Sequence, residues 1–262
     1  MTTEAPPTAL TGRTALVTGA SSGIGRATAV ALARAGARLV VLARRADRLD
    51  GLVAELAATG TEALAVAVDV RDGDAVRAAL APDALGGFAA VDVVVNSAGL
   101  AAGRGPVQAG DPADWDRMID TNIRGVLAVS RVLLPGMVER GAGHVVNVGS
   151  IAGHETYPDG AVYCATKAAL DRITTGMRMD LLGTGVRVST VDPGMVETEF
   201  SIVRHHGDRD RAAAVYRGMT PLTAEDVADA ILYAVTRPAH VQVGTLILFP
   251  SDQAGGRDVH RR

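Results

Sequence analysis

Two side chains four residues apart pose the first chemical question. In Tyr163-Cys164-Ala165-Thr166-Lys167 the tyrosine and the lysine fall on one face of a helix, one turn from each other. An ammonium beside a phenol favours the phenolate, so the pair predicts a tyrosine pKa lowered toward neutrality. A tyrosine tuned in that way exchanges a proton with an alcohol or carbonyl oxygen. Ser150 precedes it by about one loop, just past the apolar run His144–Val148. The carboxyl end of such a strand is where open α/β sheets hold ligands, and a hydroxyl there can hold the substrate oxygen beside the tyrosine. Of 26 basic residues Lys167 is the only lysine, which makes this one ammonium conspicuous.

A second group of residues reads as a nucleotide site. Thr18-Gly19-Ala20-Ser21-Ser22-Gly23-Ile24-Gly25 runs from an apolar stretch straight into a helical pattern. Glycines there let the chain turn tightly, let a pyrophosphate approach backbone N–H groups and let helix and strand pack closely. The spacing is Gly-x3-Gly-x-Gly, not the more common Gly-x-Gly-x2-Gly, and its position predicts dinucleotide binding through Gly19, Ser21, Ser22, Gly23, Ile24 and Gly25. The end of the next apolar run decides which dinucleotide. Leu39-Val40-Val41-Leu42 leads into Ala43-Arg44-Arg45, with no carboxylate before Asp47. A carboxylate would bond the ribose 2′-hydroxyl of NAD, whereas guanidinium groups suit a 2′-phosphate. Cations at a helix N-terminus oppose its dipole, so Arg44 and Arg45 need another reason, and NADP supplies one. No His, Asp and Glu spacing suggests a metal; His205-His206 reads as solvated surface.

The elements that must position these residues follow a rhythm of short apolar runs and longer helical patterns, which means a parallel sheet with crossover helices. The expected strands are Thr14–Thr18, Arg38–Leu42, Ala63–Val68, Val91–Val95, His144–Val148, Val186–Val191 and Thr245–Phe249. They are apolar almost throughout, as strands covered on both faces are. The expected helices are Ile24–Ala35, Ala46–Ala58, Asp74–Leu85, Ala113–Glu139, Ala161–Leu182 and Ala224–Thr236. Gly36 and Gly60 follow two of them as C-terminal stops, and Asp111-Pro112 opens the fourth. Thr223 with Asp226 opens the last, and Pro135 predicts a kink or an early end. Residues 195–219 lack clean periodicity, as lids often do. The chain reads as one domain, residues 1–262, with that lid and a tail of residues 250–262.

Composition narrows the function classes. A chain of 262 residues, 48% hydrophobic and 21% charged, can build a core without disulfides, and the single Cys164 excludes a cysteine metal cluster. A net charge of −3 argues against a general nucleic-acid binder. No stretch reaches eighteen apolar residues, and Met1 to Leu10 lacks a signal-peptide core, so a cytoplasmic protein is expected.

Taken together, these motifs resemble the short-chain dehydrogenase/reductase family over roughly Leu10 to Phe249. The resemblance implies an α/β Rossmann-type doubly wound sheet of about seven parallel strands, with helices on both faces. It implies NADP-dependent hydride exchange between nicotinamide and a secondary alcohol or carbonyl, and a homotetramer built on the two long helices. Tyr163 is then the acid/base, Lys167 its partner and a ribose ligand, Ser150 the substrate-oxygen ligand and Asn122 part of a water relay to Lys167. Asp69-Val70 resembles the adenine-contacting pair, and Asn96-Ser97-Ala98-Gly99 the motif that borders the cofactor. Pro193, Gly194, Val196 and Thr198 resemble the segment at the nicotinamide end. Ser97 stands where the family has a second asparagine, which predicts a lost or rerouted hydrogen bond near the sheet.

Within the family, Met118-Ile119-Asp120-Thr121-Asn122, Leu134-Pro135-Gly136-Met137, Thr198-Glu199-Phe200-Ser201 and Asp258-Val259-His260-Arg261 are similar to the NADP-dependent 3-hydroxy acid (serine and allo-threonine) dehydrogenase group. A small 3-hydroxy acid needs a cation for its carboxylate, and Arg204 in the lid is the candidate, with Tyr157 beside the pocket. The alternatives are a 3-oxoacyl or secondary-metabolite ketoreductase on the same scaffold, or a non-catalytic dinucleotide-binding regulator.

Overall fold

The strands alternate with helices along the whole chain, and the register between them builds one sheet. A computed structural model describes residues 9–262; the segment Met1 to Leu10, read above for a leader, falls mostly outside them. The strands are β1 (Thr14–Thr18), β2 (Arg38–Ala43), β3 (Ala63–Ala67), β4 (Val91–Asn96), β5 (Gly143–Val148), β6 (Val186–Pro193) and β7 (Thr245–Leu248). They lie in the order β3-β2-β1-β4-β5-β6-β7, every pairing parallel. The order reverses at β1, which pairs β2 on one side and β4 on the other, and such a reversal opens a crevice at the strands' carboxyl ends.

The helices are α1 (Gly23–Arg34), α2 (Ala46–Ala58), α3 (Gly73–Ala79), α4 (Pro82–Leu85), α5 (Pro112–Ile119), α6 (Gly125–Glu139), α7 (Ala161–Asp180), α8 (Phe200–Arg204), α9 (Arg209–Ala214) and α10 (Ala224–Val235). Successive strand residues point to opposite faces, so the sheet feeds two cores. Val17, Val41 and Val95 pack with Leu32, Leu49, Leu56 and Ile231 of α1, α2 and α10. Leu16, Val40 and Val94 pack on the other face with Val76, Val129, Leu133 and Met137 of α3 and α6. Both faces are therefore covered, which is why the strand sequences are apolar at consecutive positions.

Three helix expectations change. Asp74–Leu85 is two helices because Pro82 forces Ala81 into an extended conformation, ψ 146°. Ala113–Glu139 is interrupted by a π-helical turn, Asp120–Arg124, that carries Asn122. Pro135 neither ends nor shortens α6, which runs on to Glu139; Leu133 and Met137, either side of it, are buried in the core and hold the turn. The predicted caps form: Asp111 accepts from the Ala113 N–H, and Thr223 and Asp226 make a reciprocal capping box. The aperiodic residues 195–219 contain two short helices, α8 and α9, and α8 with Val215 and Tyr216 lines the cleft at the carboxyl ends of the strands.

Candidate active site

A cleft of about 450 Å³ opens over the carboxyl ends of the strands, lined by the glycine loop, the ends of β2, β4, β5 and β6, and α8. At one end β1 turns into α1. Gly19 has φ +69°, and a Cβ there would lie 3.0 Å from the Ala98 backbone. A Cβ on Gly25 would lie 2.5 Å from the Gly19 carbonyl oxygen, so this close approach of helix to strand requires glycine. Thr18 Oγ1 accepts from the Ser97 and Ala98 N–H groups at 3.1 and 2.9 Å, tying the loop after β4 to β1.

The two arginines after β2 differ in their commitments. Arg45 Nη2 donates to Ser22 Oγ at 2.8 Å and Ser21 Oγ at 3.0 Å, and its Nη1 donates to Glu199 at 2.9 Å. Arg48 donates to the other Glu199 oxygen at 2.7 Å. Arg44 is 60% exposed and reaches only Asp69, at 3.9 Å. Burial pushes the Asp69 carboxyl up, but its fork with Arg71 outweighs that and holds it below the usual carboxylate range. Asp69 and Val70 line the cleft beside Arg44, and Ala98, Gly99, Pro193, Gly194, Val196 and Thr198 line it farther along. Asn96 does not. Its side chain is buried beneath the cleft, donating to Asn147 Oδ1 at 2.9 Å, while its own Oδ1 finds no partner among the described residues.

At the other end β5 delivers Ser150, whose Oγ accepts from the Ala152 N–H at 3.1 Å and caps a short turn. Helix α7 carries Tyr163 and Lys167, both buried, and Ser150 Oγ donates to the Pro193 carbonyl at 3.5 Å. Burial pushes the Tyr163 phenol up, as does the neighbouring Tyr157, with Ser150 and Arg204 pulling the other way. This reverses the expectation of a lowered phenol. The Lys167 ammonium is turned instead to the Val148 carbonyl, at 2.8 Å, and burial lowers it to about 8 with Asp192 opposing. Asn122 does not bond its own helix. It exchanges two hydrogen bonds with the Leu100 backbone, at 2.9 and 2.8 Å, and donates to Thr166 at 3.0 Å. A Cβ on Gly99 would lie 3.3 Å from Asn122 Oδ1 and 3.6 Å from Lys167 Nζ, so these groups converge beneath the cleft floor.

The third side of the cleft is cationic. Arg204 Nη1 donates to the Tyr157 hydroxyl at 2.9 Å, and its guanidinium carbon lies 5.5 Å from the Tyr163 ring centre. Its Nε is buried with no partner among the described residues. Arg104 and Arg257 also line the cleft, and burial followed by the charge of Arg204 lowers Arg104. His206 is exposed, as expected, and its Nε2 also meets Asp114 at 3.0 Å and ties the lid to α5. The tail packs over the lid, Arg262 N–H donating to the Gly218 carbonyl at 2.8 Å and Arg261 bonding the Arg217 carbonyl. Sequence reasoning missed Glu199, Arg104, His154 and Asp192. Asp192 alone had a signal, a carboxylate directly after the apolar run Val186–Val191. Among the described residues no cluster of three metal-ligating side chains occurs.

A parallel sheet with this strand order, a glycine turn at its reversal point and a Ser, Tyr and Lys set beside it defines a nucleotide-dependent oxidoreductase. The chain belongs to the short chain dehydrogenase family, which it matches over residues 13–208. It is similar to sulfoacetaldehyde reductase 2 of Chromohalobacter salexigens, 48% identical over 91% of this chain and 94% of that one. Serine 3-dehydrogenase of Rhizobium radiobacter is 43% identical over 95% and 98% of the two chains. An NADP-dependent 3-hydroxy acid dehydrogenase of Schizosaccharomyces pombe is 42% identical over 97% and 98%. The solved closed form of serine dehydrogenase complexed with NADP+ superposes with a TM-score of 0.89 at 41% identity, covering 95% of this chain and all of that one.

Proposed function

We propose that the protein is an NADP-dependent dehydrogenase that interconverts a small 3-hydroxy acid and its 3-oxo or semialdehyde form. The observation that carries this reading is the Arg204 guanidinium beside the Tyr163 ring, with a buried, unpartnered Nε. A carboxylate held there leaves a nearby alcohol carbon facing the phenol, and a guanidinium fork suits a carboxylate. Tyr157 orients Arg204 through its hydroxyl. A bulky ketone or a 3-oxoacyl thioester would leave that buried cation unmatched, and a dinucleotide-binding regulator would not need the Ser150, Tyr163 and Lys167 set.

The cleft's residues fit a dinucleotide. The cradle at Gly19 and Gly25 would be filled by a Cβ, Ser21, Ser22, Gly23 and Ile24 line the cleft where a pyrophosphate would lie, and Arg44 has donors to offer a 2′-phosphate. The nicotinamide, when bound, supplies the hydride acceptor or donor. Asp69 and Val70 would border the adenine, while Ala98, Gly99, Pro193, Gly194, Val196 and Thr198 would border the rest of the cofactor. In the reductive direction Tyr163 gives its phenolic proton to the substrate oxygen, which a phenol pushed up by burial is poised to hold until then. Ser150 orients that oxygen. Lys167 would hold the nicotinamide ribose and offset charge developing on Tyr163, and Asn122 would sustain the proton relay from below. Residues 195–219 close over the substrate as a lid, in one catalytic domain with its tail.

A sulfonate is the second anion the cationic side would accept, and two relatives are named sulfoacetaldehyde reductases. The deciding experiment measures kcat/KM for small 3-hydroxy acids, sulfoacetaldehyde, 3-oxoacyl thioesters and bulky ketones, each with the NADP and NAD cofactor pairs. Highest activity with a 3-hydroxy acid and NADP supports the reading; highest activity with a neutral ketone overturns it.

The assembly is a homotetramer in this reading. Leu127 and Val138 on α6 and Met179 and Leu182 at the end of α7 are exposed apolar side chains, and we read them as one contact surface. Tyr233 on α10, with Ile247 and Phe249 at β7, are exposed as well, and we read them as a second. Two self-complementary surfaces are what a dihedral tetramer requires. A monomer in light scattering at all concentrations would refute it. The NADP reading and the single unpaired Cys164 suit a reducing cytoplasmic setting.

A further inference from the structure

Asp192 is a buried carboxylate that the proposed chemistry does not use. It lies near the end of β6 and is only 1% exposed. One oxygen accepts from Thr190 Oγ1 and the other meets His154 Nε2, both at 2.5 Å. A Cβ on Gly149 would fall 1.9 Å from Asp192 Oδ1, so the carboxylate presses on the backbone that follows β5. Lys167 grips the same stretch through the Val148 carbonyl at 2.8 Å. The two charges thus flank Val148-Gly149, immediately before Ser150.

We propose that Asp192 is a positioning residue: held by Thr190 and His154, its carboxylate is the counter-charge that keeps the buried Lys167 ammonium ionised under working conditions. The proposal rests on the reading of Lys167 as the partner of Tyr163. The geometry assigns His154 a matching task, because it is the half-exposed donor that fixes the Asp192 carboxylate from the solvent side. The groups facing Asp192 are Thr190 from β6, His154 from the turn after Ser150 and Lys167 from α7. Those near Lys167 are Asp192, the Val148 carbonyl and the Asn122 amide. Burial raises Asp192, with Thr190, His154 and Lys167 opposing that rise, and Asp192 is the one charge that raises Lys167 against its own burial. Both groups hold the same Val148-Gly149 backbone, and a nearby ionised carboxylate favours an ammonium by roughly 1–3 pKa units.

Lys167 is the only lysine in the chain, so lysine labelled with carbon-13 at Cε gives a single resonance that titrates with this ammonium. In the full-length enzyme its midpoint is expected at about 8. Asp192→Asn keeps the shape of the side chain and is expected to lower the midpoint by about 1 unit or more. His154→Ala lowers it by less, and His154→Gln, which keeps a donor, restores it. A midpoint unmoved in a folded Asp192→Asn protein, or one that rises, overturns the proposal. If Asp192→Asn does not fold, an unmoved midpoint in His154→Ala overturns it instead. The titration needs no turnover, which separates this proposal from the functional reading. A resonance that shifts while the pH profile of kcat stays fixed would refute the role given to Lys167 and leave the charge assignment standing.

Discussion

Lys167→Met is expected to stabilise the fold at neutral pH while abolishing turnover. Burial lowers the Lys167 ammonium from 10.5 to about 8. Each pKa unit corresponds to about 1.4 kcal/mol, so keeping this proton in the native state costs about 3 kcal/mol at pH 7. The sign follows from proton counts. Below about 8 both native and unfolded chains hold the proton, and the cost is constant. Between about 8 and 10.5 the native state releases it while the unfolded chain keeps it, so wild-type stability rises with pH. Methionine has a similar length and carries no charge, but it forfeits the hydrogen bond to the Val148 carbonyl. That loss costs about 1 to 2 kcal/mol. The balance is a gain of about 1 to 2 kcal/mol at pH 7 that vanishes, and turns into a small loss, as pH approaches 10.5. Urea denaturation of both proteins at pH 7 and pH 10 measures it, with kcat recorded in parallel. A variant less stable than wild type by the same amount at both pH values would refute the reasoning, since burial of the charge would then have no cost to recover.

Other consequences can be tested alongside. Tyr163→Phe should lower kcat by roughly 10²–10⁴-fold while leaving cofactor affinity measured by fluorescence titration unchanged, because only the proton donor is lost. Arg44→Asp should weaken NADP binding strongly and NAD binding little, since Arg44 is the arginine after β2 not already committed to Ser21, Ser22 and Glu199; equal affinity losses for both cofactors would contradict this. Arg204→Met should raise KM for a small 3-hydroxy acid far more than for a neutral alcohol of the same size, as steady-state kinetics with the two substrates would reveal. His144, buried against Ser189, is lowered to about 3 by burial and then by the charge of Arg187. Its folded pKa lies below the unfolded 6.5, so stability is lost as pH falls through that window, by about 3 kcal/mol between pH 6.5 and 4. His144→Asn, which keeps a donor for Ser189, should flatten that loss in urea titrations at the two pH values.

Much of the molecule was legible in the residues themselves, because local rules govern it. Alternating apolar runs and amphipathic stretches determined the seven strands within a residue or two, since a strand covered on both faces has to be apolar throughout. The turn from Gly19 to Gly25, the caps at Asp111 and Thr223 and the one-turn spacing of Tyr163 and Lys167 are likewise properties of neighbouring residues. Tertiary structure decided what depends on groups distant in the chain. Lys167 turned to the Val148 carbonyl and left the Tyr163 phenol to be raised by its own burial, although helical spacing alone implied the opposite shift. Asn122 bonded the Leu100 backbone across the fold, not its own helix, and Asn96 withdrew beneath the cleft to Asn147. Arg44 and Arg45, equivalent in sequence, were separated by a Glu199 that lies about 150 residues farther along. The charge state of a buried group is set by its dielectric surroundings and by partners brought in from other strands, and no window of neighbouring residues contains either.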